Sequence, residues 1–423
     1  MAQIPVSCQL CETDTKIEWK CENCDLLMCE RCKILIHLKI KETKDHRVIN
    51  IKEVGQQHVQ PRDTQNSNPK SKTCQLCETN GNIKWKCEDC ELMMCNGCKT
   101  RVHLKIKEFK DHRFIAIEEM DLEKTIIPCK IKTVKQYNTE LRVLNCISVC
   151  SDETMWLSDA DTKRIQKIQL EQDKIKVLSN YRGFAFDMEL LADGHLLMAD
   201  TSFNLKLLGS DTNGPIPSKF SFKSLRPIAV HRDTSTGIRL LIACIRTGSG
   251  SLCGAICGSM PSGGAVVVMT MEGHPKCMYE FDKNNQQLFT FPIRITATKQ
   301  GEIFVLDRIS KNKRGRVVIL TDEVHIYNGH TAVNSGKQPF KPMQAEVTKS
   351  DNVIIADSYN NTLHILDHSG HLLTYCKTAE AGIIGPLGMA FMQPGKLFIG
   401  NAVSYFNRNT NAKLYEVEIP EEF

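Results

Sequence analysis

The stretch at residues 8–46, CQLCETDTKIEWKCENCDLLMCERCKILIHLKIKETKDH, returns almost unchanged at residues 74–112 as CQLCETNGNIKWKCEDCELMMCNGCKTRVHLKIKEFKDH. Cys8–Ile51 and Cys74–Ile117 align without a gap, and 29 of the 44 aligned positions are identical. Both copies have the spacing C-x2-C-x9-C-x2-C-x4-C-x2-C-x4-H-x8-H. A repeat of this kind indicates two tandem copies of one small module.

Each module offers six cysteines and two histidines, which are eight metal ligands in four pairs. Zinc takes four tetrahedral thiolate or imidazole ligands in structural sites, so the pattern predicts two zinc ions in each module and four in the chain. No coordination position remains for a catalytic water, because protein ligands fill all four. A module this small buries too little surface to fold alone. Metal binding therefore supplies its folding free energy, on the order of 10 kcal/mol for each ion.

This pattern resembles the B-box zinc finger of the tripartite-motif (TRIM) proteins. The resemblance implies a cross-brace, in which the first and third ligand pairs hold one ion and the second and fourth pairs hold the other. The implied ligand sets are Cys8, Cys11, Cys29 and Cys32; Cys21, Cys24, His37 and His46; Cys74, Cys77, Cys95 and Cys98; and Cys87, Cys90, His103 and His112.

The first B-box is expected at residues 5–51 and the second at residues 74–117. Residues 52–73 between them are rich in Gln, Asn and Pro and have no apolar period, which is typical of a linker. We therefore expect the two modules to fold independently. Residues 118–128 form a hinge that ends at Pro128.

Composition restricts the class of protein. The chain has 423 residues, of which 41% are hydrophobic and 24% charged, with a net charge of +5 and 20 cysteines. No apolar leader precedes the first cysteine, so we expect a cytoplasmic protein whose paired cysteines bind metal rather than form disulfides. No apolar run approaches the roughly 20 residues that span a bilayer, which argues against a membrane partner.

From residue 129 onward the pattern changes to short strands separated by turns. Six strongly apolar segments, each closed by Asp, Asn or Cys, recur at spacings of 41 to 63 residues: Thr154–Ser158, His195–Ala199, Arg239–Ala243, Glu302–Leu306, Asn352–Ala356 and Lys396–Gly400. Such a period predicts an all-β, six-bladed β-propeller at residues 129–423. Asn352–Asp367, NVIIADSYNNTLHILD, resembles the NHL repeat. We expect Cys129–Asn138 to return as the last strand and close the ring.

Several polar residues in this region are candidate functional groups. The repeated position of the closing aspartates, such as Asp307, favours a turn-capping role over acid–base chemistry. Three histidines around a predicted hairpin turn, His364, His368 and His371, are expected to be exposed. The basic run that follows Asp307 could bind the RNA backbone, although no stacking aromatic accompanies it: Lys311, Lys313, Arg314 and Arg316.

The resemblance as a whole is to a TRIM-NHL protein without a RING finger. It implies a zinc-binding adaptor that recruits protein partners through the B-boxes and the propeller. An RNA-binding regulator is the first alternative, and a ubiquitin-protein ligase or ligase cofactor is the second. We expect no enzymatic activity, since the RING finger that carries ligase activity is missing. No coiled coil is evident, so the sequence does not set an oligomeric state.

Overall fold

The structure is a computed structural model of the chain, which divides into two compact units. The first unit is Met1–Thr125 with Ser335–Lys337, and the second is Ile126–Asn334 with Gln338–Phe423. The structure describes residues 7–10, 16–23, 25–37, 46–51, 74–77, 83–87, 90, 92–101, 103, 114–117, 126–200, 202–209, 212–222, 224–235, 237–246, 263–312, 314–393, 396–402 and 410–420.

The first unit contains two small modules of the same design. Each has a three-stranded antiparallel sheet whose first strand lies in the centre. Each also has a short helix directly after the second strand, and in the first module a single π-helical turn follows it. The elements of the first module are β1 (Trp19–Cys21), β2 (Leu26–Met28), α1 (Glu30–Cys32), the turn Lys33–His37 and β3 (Val48–Asn50). Those of the second are β4 (Ile83–Cys87), β5 (Met93–Cys95), α2 (Asn96–Arg101) and β6 (Phe114–Ala116).

Buried residues of the two modules belong to one apolar cluster. Leu10 and Leu76, the apolar residues inside the first CxxC of each copy, are 0% and 1% exposed. Met28 and Met94, in the second strand of each sheet, are also fully buried. The sequence led us to expect independent modules, but a shared core couples their stabilities. Residues 52–73, on which that expectation depended, lie outside the described residues.

The second unit consists of six four-stranded antiparallel sheets. The first three, from first to fourth strand, are β8–β11 (Cys146–Val149, Thr154–Asp159, Arg164–Glu171, Lys174–Arg182), β12–β15 (Asp187–Leu190, Leu196–Ala199, Asn204–Leu208, Ile216–Ser221) and β16–β19 (Leu225–Asp233, Arg239–Arg246, Gly264–Thr270, Pro275–Tyr279). The others are β20–β23 (Pro292–Ala297, Ile303–Arg308, Gly315–Leu320, Val324–Tyr327), β24–β27 (Pro342–Val347, Val353–Asp357, Thr362–Leu366, Leu372–Lys377) and β28, β29, β30 and β7 (Pro386–Gln393, Lys396–Asn401, Lys413–Glu418, Lys132–Asn138).

The first strands of neighbouring sheets contact one another around a complete ring, including the sixth sheet against the first. This arrangement is a β-propeller, as the strand spacing predicts. All six strongly apolar segments of the sequence coincide with second strands, whose apolar residues are buried because sheets pack on both of their faces. Among the described residues, no helix is long and apolar enough to cross a membrane.

The ring is closed by β7. The sequence predicted this role for Cys129–Asn138. Its residues pair with β30 from Asn138 opposite Lys413 to Lys132 opposite Glu418. Tyr137 is 3% exposed and packs into the core between the sixth and first sheets, while Val134 on the same strand is 40% exposed. The closing strand is therefore held by its backbone ladder and by one large buried side chain.

Tyr137→Ala should lower the free energy of unfolding of the propeller by about 3 kcal/mol, because it leaves a cavity under the closing strand. Urea unfolding can be followed by the fluorescence of Trp156 in a full-length Trp19→Phe, Trp85→Phe background. Val134→Ala on the same strand is the control and should change stability by less than about 0.5 kcal/mol. Equal effects of the two substitutions would contradict this account of closure.

Candidate metal centres and the propeller channel

Thiol and imidazole groups converge at four places in the first unit. Within each group, all ligand atoms lie within 4.8 Å of one another. The groups are Cys74, Cys77, Cys95 and Cys98; Cys8, Cys29 and Cys32; Cys21, His37 and His46; and Cys87, Cys90 and His103. Three further expected ligands, Cys11, Cys24 and His112, lie outside the described residues.

Each group combines alternate ligand pairs along the chain. Cys8 belongs to the first pair of its module and meets Cys29 and Cys32 of the third pair, while Cys21 of the second pair meets His37 and His46. The same alternation recurs in the second module. Sulfur and imidazole nitrogen atoms gathered in this way can hold a metal ion, because these are the donors that borderline transition metals prefer.

Local backbone geometry positions the thiols. The amide of Cys29 donates to Cys8 Sγ at 3.3 Å, and the amide of Cys95 donates to Cys74 Sγ at the same distance. Amide donors of this kind stabilise a thiolate, which is the form that binds metal. The hydrogen bond from Cys98 lowers the pKa of Cys74 to about 4, whereas the pKa of Cys98 itself is raised.

The tryptophan of each module serves packing. Trp19 and Trp85 are half-buried and pack against the shared apolar cluster. Lys33 Nζ lies 3.0 Å from the Trp19 ring centroid, and Lys99 Nζ lies 3.0 Å from that of Trp85. Each indole therefore connects the central strand of its sheet to the helical segment through an apolar face and a cation–π contact.

In the propeller, the side chain of Arg294 crosses the centre of the ring. It belongs to the first strand of the fourth sheet and donates to Gln344 Oε1 at 2.6 Å on the neighbouring fifth sheet. Its Nη2 atom also donates to the carbonyl oxygen of Asn145 at 3.1 Å, beside the first sheet, which lies opposite in the ring. Asp187 of the second sheet completes the contacts, with 3.7 Å between Oδ1 and Arg294 Nε.

The environment of Asp187 is dominated by desolvation. Burial raises its pKa to about 6, although Arg294 and the amide of Val230, which donates to Oδ2 at 3.1 Å, oppose the shift. A second set of ionisable side chains, His231, Glu189 and Glu346, lies on the same inner strands and is half-buried. Burial opposes protonation of His231, but Glu189, 3.4 Å away, together with Asp233 and Asp187 outweighs it, and the pKa of His231 is raised. Burial, together with Glu189 and Asp187, raises the pKa of Glu346.

Sequence reasoning did not find the buried and half-buried ionisable residues at the centre of the ring, which are Arg294, Asp187, Glu189, His231 and Glu346. The signal that could have found them is a charged residue inside an otherwise apolar first strand, as in FPIRITA for Arg294 and PMQAEV for Glu346. An ionisable side chain is rarely buried without a partner, so such strands predict a polar centre.

The closing aspartates cap turns, as expected. Asp307 Oδ1 accepts the amides of Thr290 and Phe291 at 2.9 and 2.7 Å. Its other oxygen accepts Arg316 Nε at 3.0 Å, and Arg316 also donates to the carbonyl of Leu288 at 2.8 Å. Arg316 therefore stabilises this turn. It is one of the four basic residues that the sequence proposed for RNA binding. Lys311 is exposed, Arg314 is half-buried, and Lys313 lies outside the described residues.

One histidine prediction is wrong. His364 is fully buried rather than exposed, whereas His368 and His371 of the same group are exposed, as expected. Its Nδ1 atom lies 2.8 Å from the hydroxyl of Tyr327, and its Nε2 atom lies 3.6 Å from Asp357 Oδ2. His364 faces inward because it lies on the third strand of its sheet, which is covered on both sides.

No protein-family model and no curated protein matches the chain. Solved structures similar to it include the luciferin-regenerating enzyme, with 14% identity, a TM-score of 0.47 and coverage of 68% of this chain and 95% of that one. Streptogramin B lyase has 10% identity and a TM-score of 0.41, covering 68% and 88%. A calcium-binding regucalcin from Agrobacterium tumefaciens has 12% identity and a TM-score of 0.48, covering 70% and 98%.

The expectation that the chain has no enzymatic activity is contradicted by this comparison. The similar structures include proteins named as enzymes, the luciferin-regenerating enzyme and streptogramin B lyase. The expectation rested on the missing RING finger, which bears on ubiquitin transfer and on no other reaction. At 10–14% identity the likeness concerns the fold alone.

Arg294→Ala should lower the free energy of unfolding of the propeller by about 3 kcal/mol, because it leaves Asp187 buried without its cation. Adding Asp187→Asn should restore part of the loss, since no buried carboxylate then remains. Urea unfolding monitored through Trp156 measures both effects. Arg142→Ala, which removes an exposed pair with Asp161, is the control and should cost less than about 1 kcal/mol. An Arg294→Ala protein as stable as that control would rule out the channel contact as a stabilising element.

Proposed function

We propose that the chain is a zinc-binding adaptor of the TRIM-NHL kind, which recruits protein partners through its two B-boxes and its propeller. The observation that carries the proposal is the convergence of cysteine and histidine side chains into four groups, each drawn from alternate ligand pairs. Sulfur and imidazole donors favour zinc over calcium and magnesium, which take oxygen ligands.

The chemistry of the donor sets supports a structural role for the metal. Cys74, Cys77, Cys95 and Cys98 form a complete four-thiol set, which would leave a bound zinc ion no position for water or substrate. His37 and His103 are fully buried, which suits neutral imidazole ligands inside a closed site. Zinc bound there would fix the short strands and helices and so keep the surface of the modules rigid for a partner.

The third sheet of the propeller has an exposed edge strand that would suit a protein partner. All five residues of β19 are exposed, and it is an edge strand. Met278 and the neighbouring Phe281 are 52% and 51% exposed. An edge strand offers free backbone donors and acceptors beside its apolar side chains. This combination suits an extended segment of a partner protein that adds as a further strand.

The alternative of RNA binding has less support from the basic run. Arg316 is engaged by the buried carboxylate of Asp307, so phosphate binding there would compete with a turn cap. Lys311 and Arg314 lie in the connection between β21 and β22, and the run has no neighbouring stacking platform in the sequence. The protein-binding adaptor is therefore the function that we test first.

Native mass spectrometry of the full-length protein should detect four zinc ions, because sixteen ligands make four closed sites. Cys98→Ser should reduce the count to three by opening a complete four-thiol set. Cys277→Ser, which changes an exposed cysteine of the propeller, is the control and should leave four ions bound. Two ions or fewer in the wild-type protein would overturn the cross-brace.

Affinity capture with the full-length protein tests the adaptor function. A Met278→Glu, Phe281→Glu variant should lose its propeller-dependent protein partners, since charge on the edge strand opposes strand addition. Val324→Glu, Ile326→Glu on the fourth strand of the next sheet is the matched control, because those side chains are 42% and 49% exposed. Partners that survive ribonuclease and require Met278 and Phe281 support an adaptor. Partners that are lost on ribonuclease treatment, but are captured equally well by both variants, favour the RNA-binding regulator instead.

A further inference from the structure

The chain enters the propeller along the fifth sheet before it joins the sixth. The amide of Cys129 donates to the carbonyl of Tyr375 at 2.9 Å, and the hydroxyl of Thr374 donates to the carbonyl of Ile127 at 2.7 Å. The Thr133 hydroxyl then donates to the carbonyl of Ala381 at 2.8 Å. The entry segment 126–131 is thus fastened to the outer strand β27, immediately before β7 leaves to close the ring.

A disulfide lies at the centre of this attachment. Cys129 and Cys376 are bonded, with their Cα atoms 5.0 Å apart and a sequence separation of 247. The sequence expectation concerned the paired cysteines of the first unit, and it assigned no disulfide to Cys129 or Cys376. Spatial proximity across the fold, which the sequence does not display, is what brings the two thiols together.

The disulfide shares the chain with cysteines that need the opposite redox state. The cysteines of the four candidate metal groups take part in no disulfide, and metal binding requires them as thiolates. We propose that Cys129 and Cys376 form a reversible redox clasp, which holds β7 in the ring when oxidised and allows it to detach when reduced. The clasp acts on β7 because Cys129 lies only three residues before its first residue, Lys132.

The two cysteines differ in access, which sets the order of the reaction. Cys376 is fully buried, whereas Cys129 is half-buried at the edge. With glutathione disulfide as the oxidant, the Cys129 thiolate attacks one glutathione sulfur and releases a glutathione thiolate. The Cys376 thiolate then attacks the Cys129 sulfur of the mixed disulfide and releases the second glutathione thiolate. Two protons pass from the cysteines to the departing thiolates, and two electrons reduce one glutathione disulfide.

Hydrogen exchange of the full-length protein tests the clasp. The amides of β7 should exchange at least about tenfold more slowly in an oxidised glutathione buffer than in a reduced one, because the closed 247-residue loop disfavours detachment of the strand. Both buffers contain excess zinc, so that the metal ligands stay loaded. Peptide mapping without reduction should find the Cys129–Cys376 bond in the oxidised sample alone.

Cys129→Ser should abolish the difference between the two buffers, and Cys376→Ala provides a second variant if the first folds poorly. Cys277→Ser, which changes an exposed cysteine on the third sheet, is the control and should preserve the difference. Equal exchange of β7 in the two buffers for the wild-type protein would overturn the clasp. So would a mapping experiment that finds both cysteines reduced in the oxidised buffer.

Discussion

The antiparallel ladder between β7 and β30 is the constraint on which the second unit depends. Without it, the sixth sheet would have three strands, and the strand that precedes the first sheet along the chain would no longer tie that sheet to the sixth. The contacts between the inner strands would then have to hold the ring closed around Arg294 by themselves. A local ladder between two strands thus maintains the packing of all six sheets, which is why the entry segment is tied down so closely around it.

Buried polar groups in the two units are satisfied by different means. In the first unit, cysteine and histidine side chains occupy the interior in groups that a metal ion would neutralise and link. In the propeller, the carboxylate of Asp187 is satisfied by the guanidinium of Arg294 and by backbone amides. Both arrangements place polar atoms where apolar side chains would pack without a cost in desolvation free energy. Both also hold distant parts of the chain in one geometry.

Features of the fold that repeat along the chain were predictable, whereas those made by single long-range contacts were not. The ligand spacing and the second strands of the sheets recur, so their periods reveal them. The closing role of β7 followed because the last sheet lacked a strand. Arg294, the inward-facing His364 and the Cys129–Cys376 bond occur once each. Each of these residues meets its partner only because the ring brings the two together. Neither residue spacing nor composition indicates such a contact.

Ring closure by β7 also determines how the chain can mature during its synthesis. Asn138 pairs with Lys413, so the ribosome must add 275 residues (413 − 138) after the first partner before the second exists. At about 5–20 residues per second, β7 waits roughly 15–55 s without its own strand partner. Throughout that interval the nascent propeller exposes two open edges, and a chaperone that shields them would act on this protein before translation ends.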